Sequence, residues 1–273
     1  MKISVISLIS YDAEYLPESI KSYYNFVDEI ILGLDESRIS WSGNKFSFDE
    51  DKLSEELQKI DTEGKIFIVE SNFHRSSNPI ENDTHERNYL KTHCSNELVL
   101  SFDADEVLVN AKDFFIKFLP KVKDYSNIEL MFTWFLLYKE LDEGYLVIAD
   151  ENREHVFNKD IQGFSANKLI HTYHYCRWTN ATKKLLTPLA IKHKSFCRPK
   201  KQLLDKVKNF GHSAESINDP FYEVQDKINI SNYKNLRNFK THGAGAQWST
   251  LKLIPKNELD SYLEQEAKLI YAS

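Results

Sequence analysis

A chain of 273 residues, 41% apolar and 13% aromatic, has the material for a large buried core and excludes a disordered segment. A formal net charge of −6 excludes the basic footprint of a nucleic-acid binder, and no run approaches the roughly 18 apolar residues of a membrane span. Cys94, Cys176 and Cys197, odd in number and without CxxC spacing, exclude a disulfide framework and a zinc knuckle, so a reducing cytoplasm is the expected setting. The opening Met1–Ser10 reads as a first strand rather than a signal peptide.

In chain order, Ile3–Ile9 is a predicted strand, Glu14–Asn25 a helix, Glu29–Leu34 a second strand and Phe48–Ile60 a second helix. Lys65–Val69 is a third strand, Asp83–Cys94 a third helix and Glu97–Phe102 a fourth strand. This alternation predicts βαβ units and a parallel sheet, whose carboxyl ends share one edge. Beyond residue 125 the strand-like segments 129–138, 145–149, 155–158, 168–171 and 189–193 follow with few helices, which predicts a mixed or antiparallel extension. Lys200–Phe210 is again helical, with Leu203, Leu204 and Val207 on one face and Lys200, Lys201, Lys206 and Lys208 mostly on the other. A polar tail from Asn218 leads to a terminal amphipathic helix over 257–270. The expected division is 1–110, 111–215 and a helical appendage over 216–273.

The most informative stretch is Glu97–Val107, where the apolar run Leu98-Val99-Leu100 ends in Asp103-Ala104-Asp105-Glu106. Open α/β sheets bind ligands just beyond the carboxyl ends of their strands. Two carboxylates spaced i, i+2 at such an end can reach one hard divalent cation, and that cation can hold a diphosphate. The same edge collects Ser10-Tyr11-Asp12, Asp35-Glu36-Ser37-Arg38 and Glu70-Ser71-Asn72. A carboxylate at Asp35 can accept from a nucleobase N–H or cap a helix, and the Arg87 guanidinium can fork onto phosphate or a cleft acid. His193, at the end of an apolar strand, offers an imidazole as a further ligand. Lys194, Arg198 and Lys206 follow within 14 residues, a cationic cluster in an acidic chain.

These residues resemble the nucleotide-diphospho-sugar glycosyltransferases of the A-type fold, in particular family 2. Ile3–Ile20 with Val27–Ser37 is similar to the family's opening strand, loop, helix and base-reading strand end, with Asp12 where the family often has Glu and Asp35 in place of the usual Asp pair. His85-Glu86-Arg87-Asn88 through Asp103-Ala104-Asp105 is similar to its Arg-Asn helix and Asp-x-Asp strand end. Ile191–Arg198 with Lys206 and Gly211-His212-Ser213 resembles a C-terminal His-x-Ser segment and Lys-bearing helix. The resemblance implies an α/β fold, with a Rossmann-like nucleotide-binding half and a mixed sheet extended by an acceptor-binding half. It implies a metal-dependent, inverting transfer of a sugar from a nucleotide diphosphate, a UDP-sugar above others, to a glycan or glycolipid hydroxyl in surface-glycan synthesis. Mn²⁺ or Mg²⁺ would sit on Asp105 and His193, with His212 as the competing ligand. Asp103 would act on the ribose-diphosphate, with Tyr11, Asp35, Arg87, Lys194, Arg198 and Lys206 around the donor, while Glu106 supports the loop. The setting is the cytoplasm, with peripheral association at the inner face of the membrane allowed.

Relatives carry a His-Glu pair where this chain has His171-Thr172, so the base that takes the acceptor's proton is open among Glu154, Asp160 and Glu151. His171, His174 and Trp178 form an aromatic patch that either stacks sugar or packs the sheet. Asp103-Ala104-Asp105-Glu106-Val107 also fits the nucleophile motif of haloacid-dehalogenase-type phosphatases, although that motif belongs on the first strand of its domain. A pyrophosphorylase would need a Gly-rich loop after the first strand, and Ser10–Pro17 has no glycine. A non-catalytic nucleotide- or carbohydrate-binding module is the third reading.

Overall fold

The computed structural model describes residues 1–156, 161–213, 221–239 and 248–272. Strands β1 (Ile3–Ile9), β2 (Glu29–Asp35), β3 (Ile66–Ser71) and β4 (Leu98–Ser101) pair in parallel in the order β3-β2-β1-β4, with β9 (Ser165–Asn167) antiparallel on β4. Every residue of β1, β2 and β4 is buried, as expected of strands covered on both faces. The crossovers run through helices α1 (Leu16–Tyr23), α2 (Glu50–Ile60) and α3 (Pro79–His93), which confirms the predicted βαβ units and puts all four carboxyl ends on one edge.

Helix α3 departs from the usual amphipathic pattern. Asn78 caps it by accepting from the Ile80 N–H at 3.0 Å, and Pro79 occupies its first turn, so the helix starts four residues before the predicted boundary. Its buried residues include Asn82, Asp83, Glu86 and Arg87, a polar stripe at helical spacing where a core helix would carry aliphatics. The helix lies so close to β2 that a Cβ on Gly33 would meet Glu86 Oε1 at 2.5 Å and Leu90 Cδ1 at 2.7 Å.

A second sheet, six-stranded among the described residues, extends the molecule. Its order is β13-β7-β6-β12-β5, with β8 (Ile161–Gly163) also on β6. Here β5 is Glu106–Leu108, β6 Ile128–Glu140, β7 Tyr145–Ala149, β12 Lys183–His193 and β13 Thr250–Ile254. β6 and β12 run parallel and the other pairings are antiparallel, the mixed extension anticipated from sequence. Helix α4 (Lys200–Asn209) packs Leu203 and Val207 into the cluster that holds Leu136, Tyr138 and Trp248.

Two predicted strands do not form among the described residues. Lys168–Ile170 is a turn and His171 irregular, because Asn167 ends β9 and its side chain accepts from the Leu169 N–H at 3.0 Å. His155 and Val156 are irregular, and residues 157 and 158 fall outside the described residues. The tail expected as a helical appendage instead adds β13 to the second sheet, and its terminal helix, Leu259–Ala272, buries Leu259, Leu263 and Ala267 against Phe135, Leu137 and Val147. No helix among the described residues is long and apolar enough to cross a membrane.

Candidate active site

Where β4 ends, the chain turns through Asp103–Glu106. The Glu106 N–H donates to Asp103 O at 3.1 Å, and the Asp103 N–H donates to Glu106 Oε2 at 2.9 Å, so the acid predicted to support the loop does close it. Antiparallel pairing of β5 with β12 then sets His193 opposite Glu106, and the Lys194 N–H donates to Asp105 O at 3.0 Å. One register thus brings the end of β12 against the end of β4. Above this junction lies a cavity of about 340 Å³, lined by Tyr11, Asp12, Asp83, Arg87, Asp103, Asp105, His193 and Lys206 together with aromatic walls that include Trp41, Trp134, Trp178 and Trp248.

Each strand-end carboxylate is held by two cations. Asp103 Oδ1 accepts from Arg87 Nη2 at 2.8 Å, while Oδ2 pairs with Arg177. Burial would raise the Asp103 pKa, but Arg177 and Arg87 outweigh it and hold it at about 2. Asp105, 2% exposed, pairs through Oδ2 with Arg198 and with Lys206 Nζ at 2.7 Å, and His193 Nε2 stands 3.4 Å from Oδ1. Burial opposes its ionisation too, yet Lys206, His193 and Arg198 keep it well below the usual carboxylate range. Arg198 also reaches Asp12 Oδ2 at 3.0 Å and lies over the Tyr15 ring. Burial pushes Asp12 up against the pull of Arg198, and pushes the Tyr11 phenol up with Asp12 adding to it.

Tyr11, Arg87, Asp103, Asp105, His193 and Lys206 therefore converge on one cavity, with Arg198 behind Asp12 and Asp105. Lys206 belongs to the inward face of α4, three residues from Leu203 and one from Val207, and not to the outer face read from the sequence. Other expectations are corrected. Asp35 is spent on local structure: Oδ1 accepts the N–H groups of Ser37 at 2.9 Å and Ile39 at 3.0 Å, and Oδ2 that of Phe73 at 2.9 Å, which leaves little capacity for a nucleobase. Lys194 turns outward to Glu18 at 2.5 Å. Glu154 and Glu151 are exposed beyond β7, away from the cavity lining; the Glu154 carbonyl accepts from Lys252 Nζ at 2.9 Å. Asp160 lies outside the described residues. His171 is buried beyond the end of β9, its Nδ1 accepting the Asn167 N–H at 3.0 Å, and His174 is exposed; Trp178 alone of that patch lines the cavity. His212 also lines the cavity.

The sequence reading missed Arg177. Its guanidinium is buried, forks onto Glu106 at 3.0 and 3.1 Å, pairs with Asp103 and lies 5.7 Å from the Trp134 ring, whose Nε1–H donates to Glu106 Oε1 at 2.6 Å. Its sequence signal is an arginine set among aromatics in Tyr173–Trp178. Asp83, which accepts from Arg87 Nε at 2.6 Å, was missed as well.

Few protein donors are left for the expected divalent ion. Asp103 has both oxygens engaged by arginines, and on Asp105 only Oδ1 faces another ligand type, His193. Among the described residues no three His, Cys, Asp or Glu side chains converge as a metal site. A dication seated on Asp105 would also share that carboxylate with Arg198 and Lys206; at about 4 Å and an effective dielectric of about 20, a dication and a monocation repel by roughly 8 kcal/mol.

The fold and site are those of an α/β protein with a charged, aromatic-walled cavity at the carboxyl edge of its parallel sheet. No protein-family model matches the chain, and no curated protein matches it. Among solved structures, S. aureus TarS 1–349 is similar at 15% identity over 52% of this chain and 37% of that one, with a TM-score of 0.32. The same fragment in complex with UDP-GlcNAc gives 16% identity, 53% and 36% coverage and a TM-score of 0.31. GalNAc-T7 with UDP, GalNAc and Mn²⁺ gives 11% identity, 86% and 53% coverage and a TM-score of 0.44. The chain thus spans 37% of the TarS fragment and 53% of GalNAc-T7.

Proposed function

We propose that this chain is a glycosyltransferase that moves a sugar from a nucleoside-diphosphate donor, a UDP-sugar above others, to an acceptor hydroxyl. The observation that carries the reading is the convergence of Asp103, Asp105, Arg87, Arg177 and Lys206 on one cavity at the end of β4, the edge at which such sheets bind nucleotides. Cations fixed in a buried site suit a diphosphate, and Trp134, Trp178 and Trp248 supply flat apolar faces on which sugar rings stack. In an inverting displacement the acceptor oxygen attacks the anomeric carbon, and the bond from that carbon to the β-phosphate oxygen breaks with its electron pair. The nucleoside diphosphate leaves with that charge, and the acceptor proton passes to a base.

If Mn²⁺ or Mg²⁺ does take part, Asp105 and His193 are the pair to hold it, 3.4 Å apart, and it would add positive charge at the diphosphate. We place the reaction on the cytoplasmic side of the membrane, in the building of surface glycans. The phosphatase reading fares worse: its nucleophile would be Asp103, whose two oxygens are each committed to a buried arginine.

A panel of UDP-, GDP-, CMP- and dTDP-sugars, screened by thermal shift and then for release of the nucleotide with a glycan acceptor, tests the assignment. Stabilisation by one donor and its turnover are expected. Covalent phosphorylation of Asp103 would return the phosphatase, donor binding without turnover would make the chain a binding module, and no response to any donor would remove the proposal.

A further inference from the structure

We propose that Lys206 takes the place of a divalent ion at this site, so that the nucleoside-diphosphate donor binds without metal. The inference rests on the glycosyltransferase reading and concerns the same cavity. Its basis is how the four cations are distributed over the two strand-end acids. Asp103 carries Arg87 and Arg177, and Asp105 carries Arg198 and Lys206. Three of the four have a second acid: Arg87 holds Asp83 at 2.6 Å, Arg198 holds Asp12 at 3.0 Å, and Arg177 forks onto Glu106 at 3.0 and 3.1 Å. Lys206, by contrast, has Asp105 as its only ion-pair partner among the described residues.

Lys206 is therefore the cation least spent on the protein. It is 7% exposed, comes from the inward face of α4 and lines the cavity, as does Arg177 from the loop between β10 (Tyr173–Tyr175) and β11 (Trp178–Thr179). An ammonium binds phosphate as a point charge. Lys206 is fixed before the donor arrives, so it can stabilise charge that grows on the leaving diphosphate with little reorganisation. A divalent ion on Asp105 would share that carboxylate with Lys206 and Arg198 on Oδ2, and Asp105 Oδ1 and His193 Nε2 are the protein donors left to it, the rest of its shell being water and the diphosphate.

Calorimetric titration of the full-length chain with UDP, GDP and dTDP, after treatment with EDTA and again with saturating Mn²⁺, decides the point. The expected result is one nucleotide whose metal-free affinity is within about threefold of its affinity with Mn²⁺. Lys206→Met should weaken metal-free binding of that nucleotide by tenfold or more and Lys206→Arg by much less, with far-ultraviolet dichroism confirming that both variants are folded. Binding that appears only with Mn²⁺ would overturn the inference and leave the glycosyltransferase reading standing. A Lys206→Met chain that is folded and binds as the wild type does would overturn it as well. Failure of all three nucleotides under both conditions would overturn the inference together with the reading beneath it.

Discussion

Arg177 reaches Glu106 across 71 positions of chain, donating from Nη1 to Oε2 at 3.0 Å and from Nη2 to Oε1 at 3.1 Å. Glu106 is wholly buried, and it also accepts the Asp103 N–H and the Trp134 indole N–H. The pair therefore locks the turn that presents Asp103 and Asp105 to the β10–β11 loop and to β6.

Removal of Arg177 leaves a buried carboxylate with its two N–H donors but no counter-charge. Breaking a buried pair in this way costs on the order of 3–5 kcal/mol, so Arg177→Ala should lower the urea midpoint by a corresponding amount. Arg177→Lys, which cannot fork onto both Glu106 oxygens, should recover only part of the loss. A midpoint shift worth less than about 1 kcal/mol would show that the network tolerates an open side, against this account.

Glu86 sets a pH dependence of stability. Burial raises its pKa from an ordinary 4.5 to about 8, opposed by the Trp41 N–H, which donates to Oε2 at 2.7 Å. An acid whose folded pKa lies above its unfolded one binds more protons in the native state. Its contribution is fully present below about pH 4.5 and is lost as the pH rises toward 8. Glu86→Gln keeps an acceptor for Trp41 and removes the titration. The variant should match the wild type near pH 5 and exceed it near pH 9 by on the order of a few kcal/mol in urea melts. Parallel stability curves across that range would rule out the assignment.

Glu154 and Asp103 make a paired test of what the cavity contains. The Glu154 side chain is exposed beyond β7, and only its carbonyl is tied to Lys252 and Tyr262. Glu154→Gln should leave donor turnover unchanged and stability within about 0.5 kcal/mol. Asp103→Asn removes the charge that Arg87 and Arg177 share, and should lower turnover by on the order of a hundredfold under saturating donor. Equal loss in both variants would move the chemistry away from the β4 edge.

The parallel half was legible because its signals are local. Apolar runs of strand length separated by helical patterns give βαβ units, and the parallel strands those units join place Asp12 and Asp103 on one edge. What was not legible depended on register and on side chains committed elsewhere. Asp35 looks free in sequence and is used by three backbone N–H groups in space. Lys206 reads as one more lysine on a solvated face, because its burial is set by where α4 packs and not by the spacing of its own leucines. Arg177 sits in a short loop whose position follows from pairings hundreds of atoms away. The polar stripe on α3 was visible as residues, but only the 2.5 Å approach at Gly33 shows why that face is the buried one.

Asp105→Asn separates the two roles this carboxylate could have. The substitution keeps the side-chain volume and removes the charge on which Lys206 and Arg198 converge; Arg198 retains Asp12 at 3.0 Å, so the fold should survive with a lowered melting temperature. If Asp105 served as a metal ligand, losing its charge would weaken nucleotide binding. If it instead holds the cations in place, its loss frees Lys206 to grip the diphosphate, and metal-free affinity for the matching nucleoside diphosphate should rise several-fold. Turnover should nevertheless fall by on the order of a hundredfold, because a cation that tightens on the ground state and on the product no longer favours the transition state over them. Calorimetry and steady-state rates on the same preparation check both halves of the expectation, and weaker nucleotide binding with turnover restored by excess Mn²⁺ would assign Asp105 to a metal instead.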